Sequence, residues 1–196
     1  YPAEFNTKFK VYGTREPIPG GLTEMPSDMY GENGEKHTAI VSDRAGITKV
    51  YEAVTQYCGW SGIEAGKTMG LFPYGKENDA IPKLFDSQSL YPLSNRNVIV
   101  PNYPNGAIVN GGVYQFLNEV IQNSTDKDLT HLDSRRDLAY ACQVETQEQV
   151  VNLIKKAVED TGKKKVVISG GYGLNCVANY HYLDALKDEG IEIYVE

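Results

Sequence analysis

Apolar positions recur at helical spacing in three stretches of the chain. Val50, Val54 and Cys58, with Tyr51 and Tyr57 alongside, predict a helix that stops at Gly59. Residues Glu64 to Leu71 predict a second, short helix closed by Pro73-Tyr74-Gly75. Leu138, Ala141, Cys142, Val150, Val151, Ile154 and Val158 fall three and four residues apart and predict a long helix from Asp133 to Asp160, ended by Gly162. The C-terminal stretch changes period. Lys165-Val166-Val167-Ile168-Ser169 reads as a strand, Leu174 to Lys187 as a helix, and Ile191 to Val195 as a second strand after Gly190. The first of these strands is continuously apolar, which predicts burial on both faces.

The remainder is less regular. Residues 1–36 are turn-rich and polar, with weak alternation from Glu4 to Val11, and His37 to Ser42 reads as a short strand. Residues 76–110 read as short strands and loops, Asn97 to Pro101 being the clearest run, and Tyr114 to Gln122 as a small helix. Asp126, Asp128 and Asp133, near Arg135 and Arg136, are expected to cap the long helix. The expected core lies in residues 46–75 and 131–196, with 1–45 and 76–130 loop-rich or inserted.

Composition narrows the class. The 196 residues are 41% hydrophobic and 23% charged, enough to bury a core, and they carry no apolar run approaching the ~20 residues of a membrane span. Lys and Arg total 19 against 26 Asp and Glu, a net charge of −7, so nucleic-acid binding is not expected. Three cysteines, Cys58, Cys142 and Cys176, form no disulfide framework and no C-x-x-C pair. They are expected to be small apolar core residues in a reducing cytoplasm. There is no initiator Met, and both ends read as cut, so the chain is expected to be a piece of a longer protein.

The most informative chemistry is the turn Ser169-Gly170-Gly171-Tyr172-Gly173-Leu174-Asn175. Two glycines at a strand's C-terminal end let the backbone approach a ligand, and a helix N-terminus beyond them attracts an anion. Asn175 is placed to donate to a ligand oxygen. The alternative is a tight structural turn in which a glycine supplies φ > 0. Gly171-x-Gly173-x-x-Cys176 approximates a dinucleotide fingerprint, with Glu196 at the end of the next strand, but Cys176 stands where the third glycine belongs. Gly62-x-x-x-Gly66-Lys67-Thr68 is one residue short of a P-loop and follows a helix, so it is set aside. His37, His131 and His181 have no partner at metal-ligand spacing, and no metal site is expected within the chain.

Several stretches carry a family resemblance. "ISGGYGLNCVAN" (Ile168 to Asn179) resembles the "GGVALNCVAN" signature of O-carbamoyltransferases of the nodulation and antibiotic-tailoring type. "VYEAVTQYCGW" (Val50 to Trp60) is similar to the family's helix before its glycine, and "AGKTMGLFPYG" (Ala65 to Gly75) resembles its "GKVMGLAPYG" segment. The helix Arg135 to Ala157 resembles the one before the signature. Tyr172 and Gly173 stand where the family has Val and Ala.

The resemblance implies an α/β lobe of the actin-like ATPase superfamily (ribonuclease H-like), ending in the βαβ unit and forming part of a larger transfer domain. It implies binding of carbamoyl-adenylate, made elsewhere in the polypeptide from ATP and carbamoyl phosphate, and transfer of the carbamoyl group to a small-molecule hydroxyl. A divalent metal such as iron would be held by ligands outside this chain, an upstream H-x-x-x-H pair and a downstream Gly-Asp loop. The nucleotide-binding candidates are Gly170 and Gly171 for backbone contact, Asn175 from the side, and Lys67, with Gly66 and Gly70 beside it, to neutralise phosphate. No general base is identified. The competing readings are a dinucleotide-binding oxidoreductase module on the βαβ unit and a noncatalytic structural domain.

Overall fold

The computed structural model describes residues 11–13, 23–27, 37–42, 44–88, 92–102, 106–109 and 133–196. The expected helix at Tyr114 to Gln122 lies outside them, as do Asp126 and Asp128. The described residues form a mixed α/β structure with three small sheets. In the first, β3 (His37–Ser42) pairs parallel with β1 (Val11–Gly13) and antiparallel with β2 (Thr23–Ser27). Two of these strands come from the stretch that reads as turns. Periodicity missed them because they are short and because β2 carries Pro26, which an edge strand tolerates.

Helix α1 (Ile47–Tyr57) ends as expected, with Gly59 at φ 99 and its amide donating to the Gln56 carbonyl. A tight turn at Gly62–Glu64 then leads into α2 (Ala65–Leu71). A capping box opens that turn. The Ser61 amide donates to Glu64 Oε2 at 2.9 Å and the Glu64 amide returns a bond to the Ser61 hydroxyl. Strands β4 (Ile99–Asn102) and β5 (Gly106–Val109) make an antiparallel hairpin.

Helix α3 (Asp133–Thr161) is 29 residues long, about 43 Å at ~1.5 Å per residue. It serves two cores in succession. Its first half gives Leu138, Ala139 and Cys142 to a cluster with Val50 and Val54 of α1, Cys58 just after it, and Leu71 of α2. Its second half gives Val151 and Ile154 to a cluster with Ala178, Tyr182 and Leu186 of α4 (Cys176–Leu186). Between them the helix buries polar side chains, Gln143, Glu145, Thr146 and Gln147. The first core also takes in Leu84, Phe85, Val98 and Ile99.

The segment carrying these four is anchored to α3 through carboxylates. Lys76 N–H and Asn78 Nδ2 donate to Asp137, each at 3.0 Å, and Leu84 N–H donates to Glu145 Oε2 at 2.8 Å. Gly75 lies so close to α3 that a Cβ there would sit 2.0 Å from the Arg136 carbonyl oxygen.

The terminal unit pairs β6 (Lys165–Ile168) parallel with β7 (Glu192–Val195) around α4, the expected βαβ. One expectation fails there. The β6 strand is not buried on both faces, since Val167 is 63% exposed. Val166, Ile168 and Ile193 pack on the α3–α4 cluster, whereas the opposite face, with Val167 and Tyr194, is uncovered among the described residues. Cysteine burial also differs. Cys58 and Cys142 are core, but Cys176, the first residue of α4, is exposed.

Two measurements follow from α3. Gly75→Ala overpacks the contact with Arg136 and should lower unfolding free energy by about 1–3 kcal/mol in urea titration. Equal stability would mean the backbones separate freely. Burial raises the Glu145 carboxyl above its ordinary value, outweighing the opposing pull of the Leu84 amide. A raised folded pKa stabilises fully below the unfolded value of 4.5 and loses that contribution as pH rises through the folded value. Wild type should therefore lose stability relative to Glu145→Gln as pH climbs from about 4 to about 8. Parallel pH curves would remove Glu145 as a buried proton site.

Candidate functional site

The glycine turn is built in two pieces. Gly170, at φ 99 and ψ 173, occupies backbone space open to glycine alone, so the positive φ belongs to the first glycine of the pair and not to Gly171. Gly171–Leu174 then form a tight turn, closed by Gly173 N–H donating to the Gly170 carbonyl at 2.8 Å. The helix expected from Leu174 starts only at Cys176. Asn175 is its N-cap, accepting at Oδ1 from Ala178 N–H at 3.0 Å, because a side-chain oxygen there satisfies an amide the helix leaves open. Asn179 Nδ2 reaches back to the Gly173 carbonyl at 2.7 Å and pins the turn to α4.

Behind the turn lies a buried polar node. Asn175 and Gln143 face each other as a pair of amides, Asn175 Nδ2 donating to Gln143 Oε1 at 2.9 Å and Gln143 Nε2 donating to Asn175 Oδ1 at 3.2 Å. Tyr51 O–H donates to the same Gln143 Oε1 at 2.8 Å, and Gln143 Nε2 also donates to Gln147 Oε1 at 2.6 Å. Tyr172 O–H donates to Thr146 Oγ1 at 2.7 Å, and its ring meets Tyr51 edge-on at 5.6 Å. Burial pushes the Tyr51 and Tyr172 phenols far above the ordinary range and the Tyr182 phenol up to about 12. All three are neutral near pH 7, and Tyr51 and Tyr172 act as donors.

In front of the turn is a cleft of about 670 Å³. One wall comes from α1, the 62–64 turn and α2, through Thr48, Tyr51, Glu52, Ile63, Gly66 and Met69. The other is the signature turn, through Gly171, Tyr172, Leu174 and Asn175. Ile63 and Leu174 stand at its edges, 94% and 75% exposed. The charged side chain among the described lining residues is Glu52, whose Oε2 accepts from Lys49 Nζ at 2.6 Å.

The structure separates the expected site residues. Gly171 and Asn175 line the cleft, while Gly170, Lys67 and Gly70 are outside its lining. Lys67 Nζ donates to Glu64 Oε1 at 2.5 Å and lies 6.0 Å from the Trp60 ring centre. Asn175 spends its side chain on the cap and on Gln143. Reading the sequence missed Tyr51, Glu52, Ile63, Met69, Tyr172 and Gln143. The Ser61-x-x-Glu64 capping box was a legible pointer to the 62–64 turn, but nothing local marks Gln143.

Comparison with known proteins bears on this cleft directly. Residues 23–195 match the family model described as the carbamoyltransferase N-terminus. The chain belongs to this family. Every residue lining the cleft falls within the matched stretch. The carbamoyltransferase N-terminal chain is also 31% identical over 153 residues to the uncharacterized protein sll1178 of Synechocystis sp., covering 74% of this chain and 24% of that relative. It thus spans about a quarter of that protein's length.

The node should show in stability. Asn175→Ala loses the cap and half of the amide pair, and unfolding free energy should fall by about 1–3 kcal/mol. Gln143→Leu leaves the Tyr51 hydroxyl and Asn175 amide buried without their partner, and should cost about 2–4 kcal/mol. Urea titrations that moved by less than about 0.5 kcal/mol for both would show that the node does not hold the junction.

Proposed function

We propose that this chain is the nucleotide-binding lobe of an ATP-dependent O-carbamoyltransferase, which receives carbamoyl-adenylate and passes the carbamoyl group to the hydroxyl of a small acceptor. The observation that carries this reading is the meeting of two sequence stretches 102 positions apart in the chain, Thr48 to Met69 and Gly171 to Asn175, as walls of one cleft. Family membership supports carbamoyl transfer, and the cleft is where this reading seats the nucleotide.

In this reading the lobe has an actin-like ATPase fold, works in the cytoplasm and joins the remainder of its polypeptide, which makes the adenylate from ATP and carbamoyl phosphate. The acceptor hydroxyl attacks the carbamoyl carbon and gives up its proton to solvent, the carbamoyl C–O bond to the adenylate phosphate breaks, and AMP leaves. The Gly171 and Tyr172 amides precede the first internal bond of their turn, and they would donate to the phosphate where charge collects on departure. Gly170 supplies the backbone bend that presents them. Lys67 would reach a phosphate after releasing Glu64, with Gly70 leaving the α2 surface bare beside it. Asn175 contributes by holding the turn against α3. Tyr51 and Tyr172 act as neutral donors in the wall. A divalent metal such as iron belongs to the full-length enzyme. Among the described residues no three His, Cys, Asp or Glu side chains could hold one, and no step here passes through it. No described helix is long and apolar enough to cross a membrane.

Gly171→Val tests the reading cleanly. A Cβ at Gly171 meets no atom within 4 Å, and its backbone is not in the positive-φ region. The variant should keep its circular dichroism spectrum and lose AMP and ATP binding in calorimetry. Normal binding by the folded variant would make the turn scaffold alone. Lys67→Ala reports separately, since a phosphate contact predicts a salt-sensitive loss of affinity. The 196 residues alone should show no carbamoyl transfer, and turnover by them would refute the division of labour proposed here.

A further inference from the structure

The cleft is chemically lopsided. Thr48, Ile63, Ala65, Met69 and Leu174 give it small or apolar surfaces, and its charge among the described residues is the Glu52 carboxylate. A carboxylate beside apolar walls disfavours a phosphate and rewards a neutral hydrogen-bond donor. Glu52 is also fixed in place. Lys49 Nζ holds Oε2 at 2.6 Å, and Gly62 packs so closely that a Cβ there would lie 2.5 Å from Glu52 Cγ. The carboxylate is therefore oriented before a ligand arrives, with Oε1 unpartnered among the described residues.

We infer that Glu52 is a specificity-determining residue of this cleft, accepting a hydrogen bond from an uncharged donor of the nucleoside, a ribose hydroxyl or the base amino group, while Ile63 and Leu174 flank the ring. This rests on the nucleotide reading above and adds to it which end of the ligand enters the α1 side of the cleft. It also fits a phosphate held at the Gly171 end of the cleft.

Calorimetry on the 196-residue chain tests this with adenosine, AMP and ATP, comparing wild type with Glu52→Gln. A hydrogen bond to a charged acceptor predicts at least a roughly tenfold loss of adenosine and AMP affinity. Purely electrostatic repulsion predicts the opposite sign, tighter AMP binding on removal of the charge. Unchanged or tighter binding by a folded Glu52→Gln chain overturns the assignment while leaving the nucleotide reading intact, because wild type still binds. If wild type binds none of the three, both fall together. Should Glu52→Gln fail to fold, Glu52→Asp is judged by the same tenfold criterion, since it keeps the charge and withdraws it by one methylene. Repeating the wild-type and variant titrations with 2′,3′-dideoxyadenosine and with purine riboside identifies the donor. The analogue for which the substitution no longer matters lacks the group that Glu52 holds. A penalty that persists with both overturns direct contact.

Discussion

The structure turns on one buried amide, that of Gln143 in the middle of α3. A helix about 43 Å long cannot bury one apolar stripe against one partner here, because its two halves pack on different clusters. At the changeover the helix presents polar side chains, and a buried amide must find partners or cost free energy. Gln143 finds them on both sides, Tyr51 from α1 and Asn175 from the turn before α4. Tyr172 repeats the arrangement with its hydroxyl on Thr146 and its ring packed against both clusters. The seam between the two cores is thereby specified by hydrogen bonds with a defined geometry, which nondirectional apolar packing alone would leave open.

That seam is also the floor of the cleft. Tyr51, Tyr172 and Asn175 each bond to α3 on one side and line the cleft on the other. The walls are consequently held by rigid elements, which suits a site that must orient a ligand. The same economy explains the signature's asparagines. Asn175 caps α4 and faces Gln143, and Asn179 holds the Gly173 carbonyl, so both set the shape of the turn that lines the cleft.

The acidic residues of α3 show a related division between appearance and role. Asp137 and Glu145 look like the solvated face of a helix, yet both are buried and accept bonds from the 76–85 segment. Through them a stretch with little regular structure delivers Leu84 and Phe85 to the first core. Gly75 permits this by letting its backbone meet α3 where any side chain would collide with Arg136.

The sequence by itself determined the elements whose signals are local. The 3.6-residue period marked α1 and α3, Gly59, Gly162 and Gly190 marked ends that need positive φ, and the alternation of strand, glycine turn and helix marked the βαβ unit. It also showed the family, through motifs that lie within the matched residues 23–195. Tertiary structure alone decided what those elements do to one another. It put the positive φ at Gly170, started α4 at Cys176, paired Lys67 with Glu64, and left Val167 uncovered among the described residues on a strand that reads as buried on both faces. A residue such as Gln143 carries no pattern of its own. Its role arises from partners that only folding brings within bonding distance, 92 and 32 positions away along the chain.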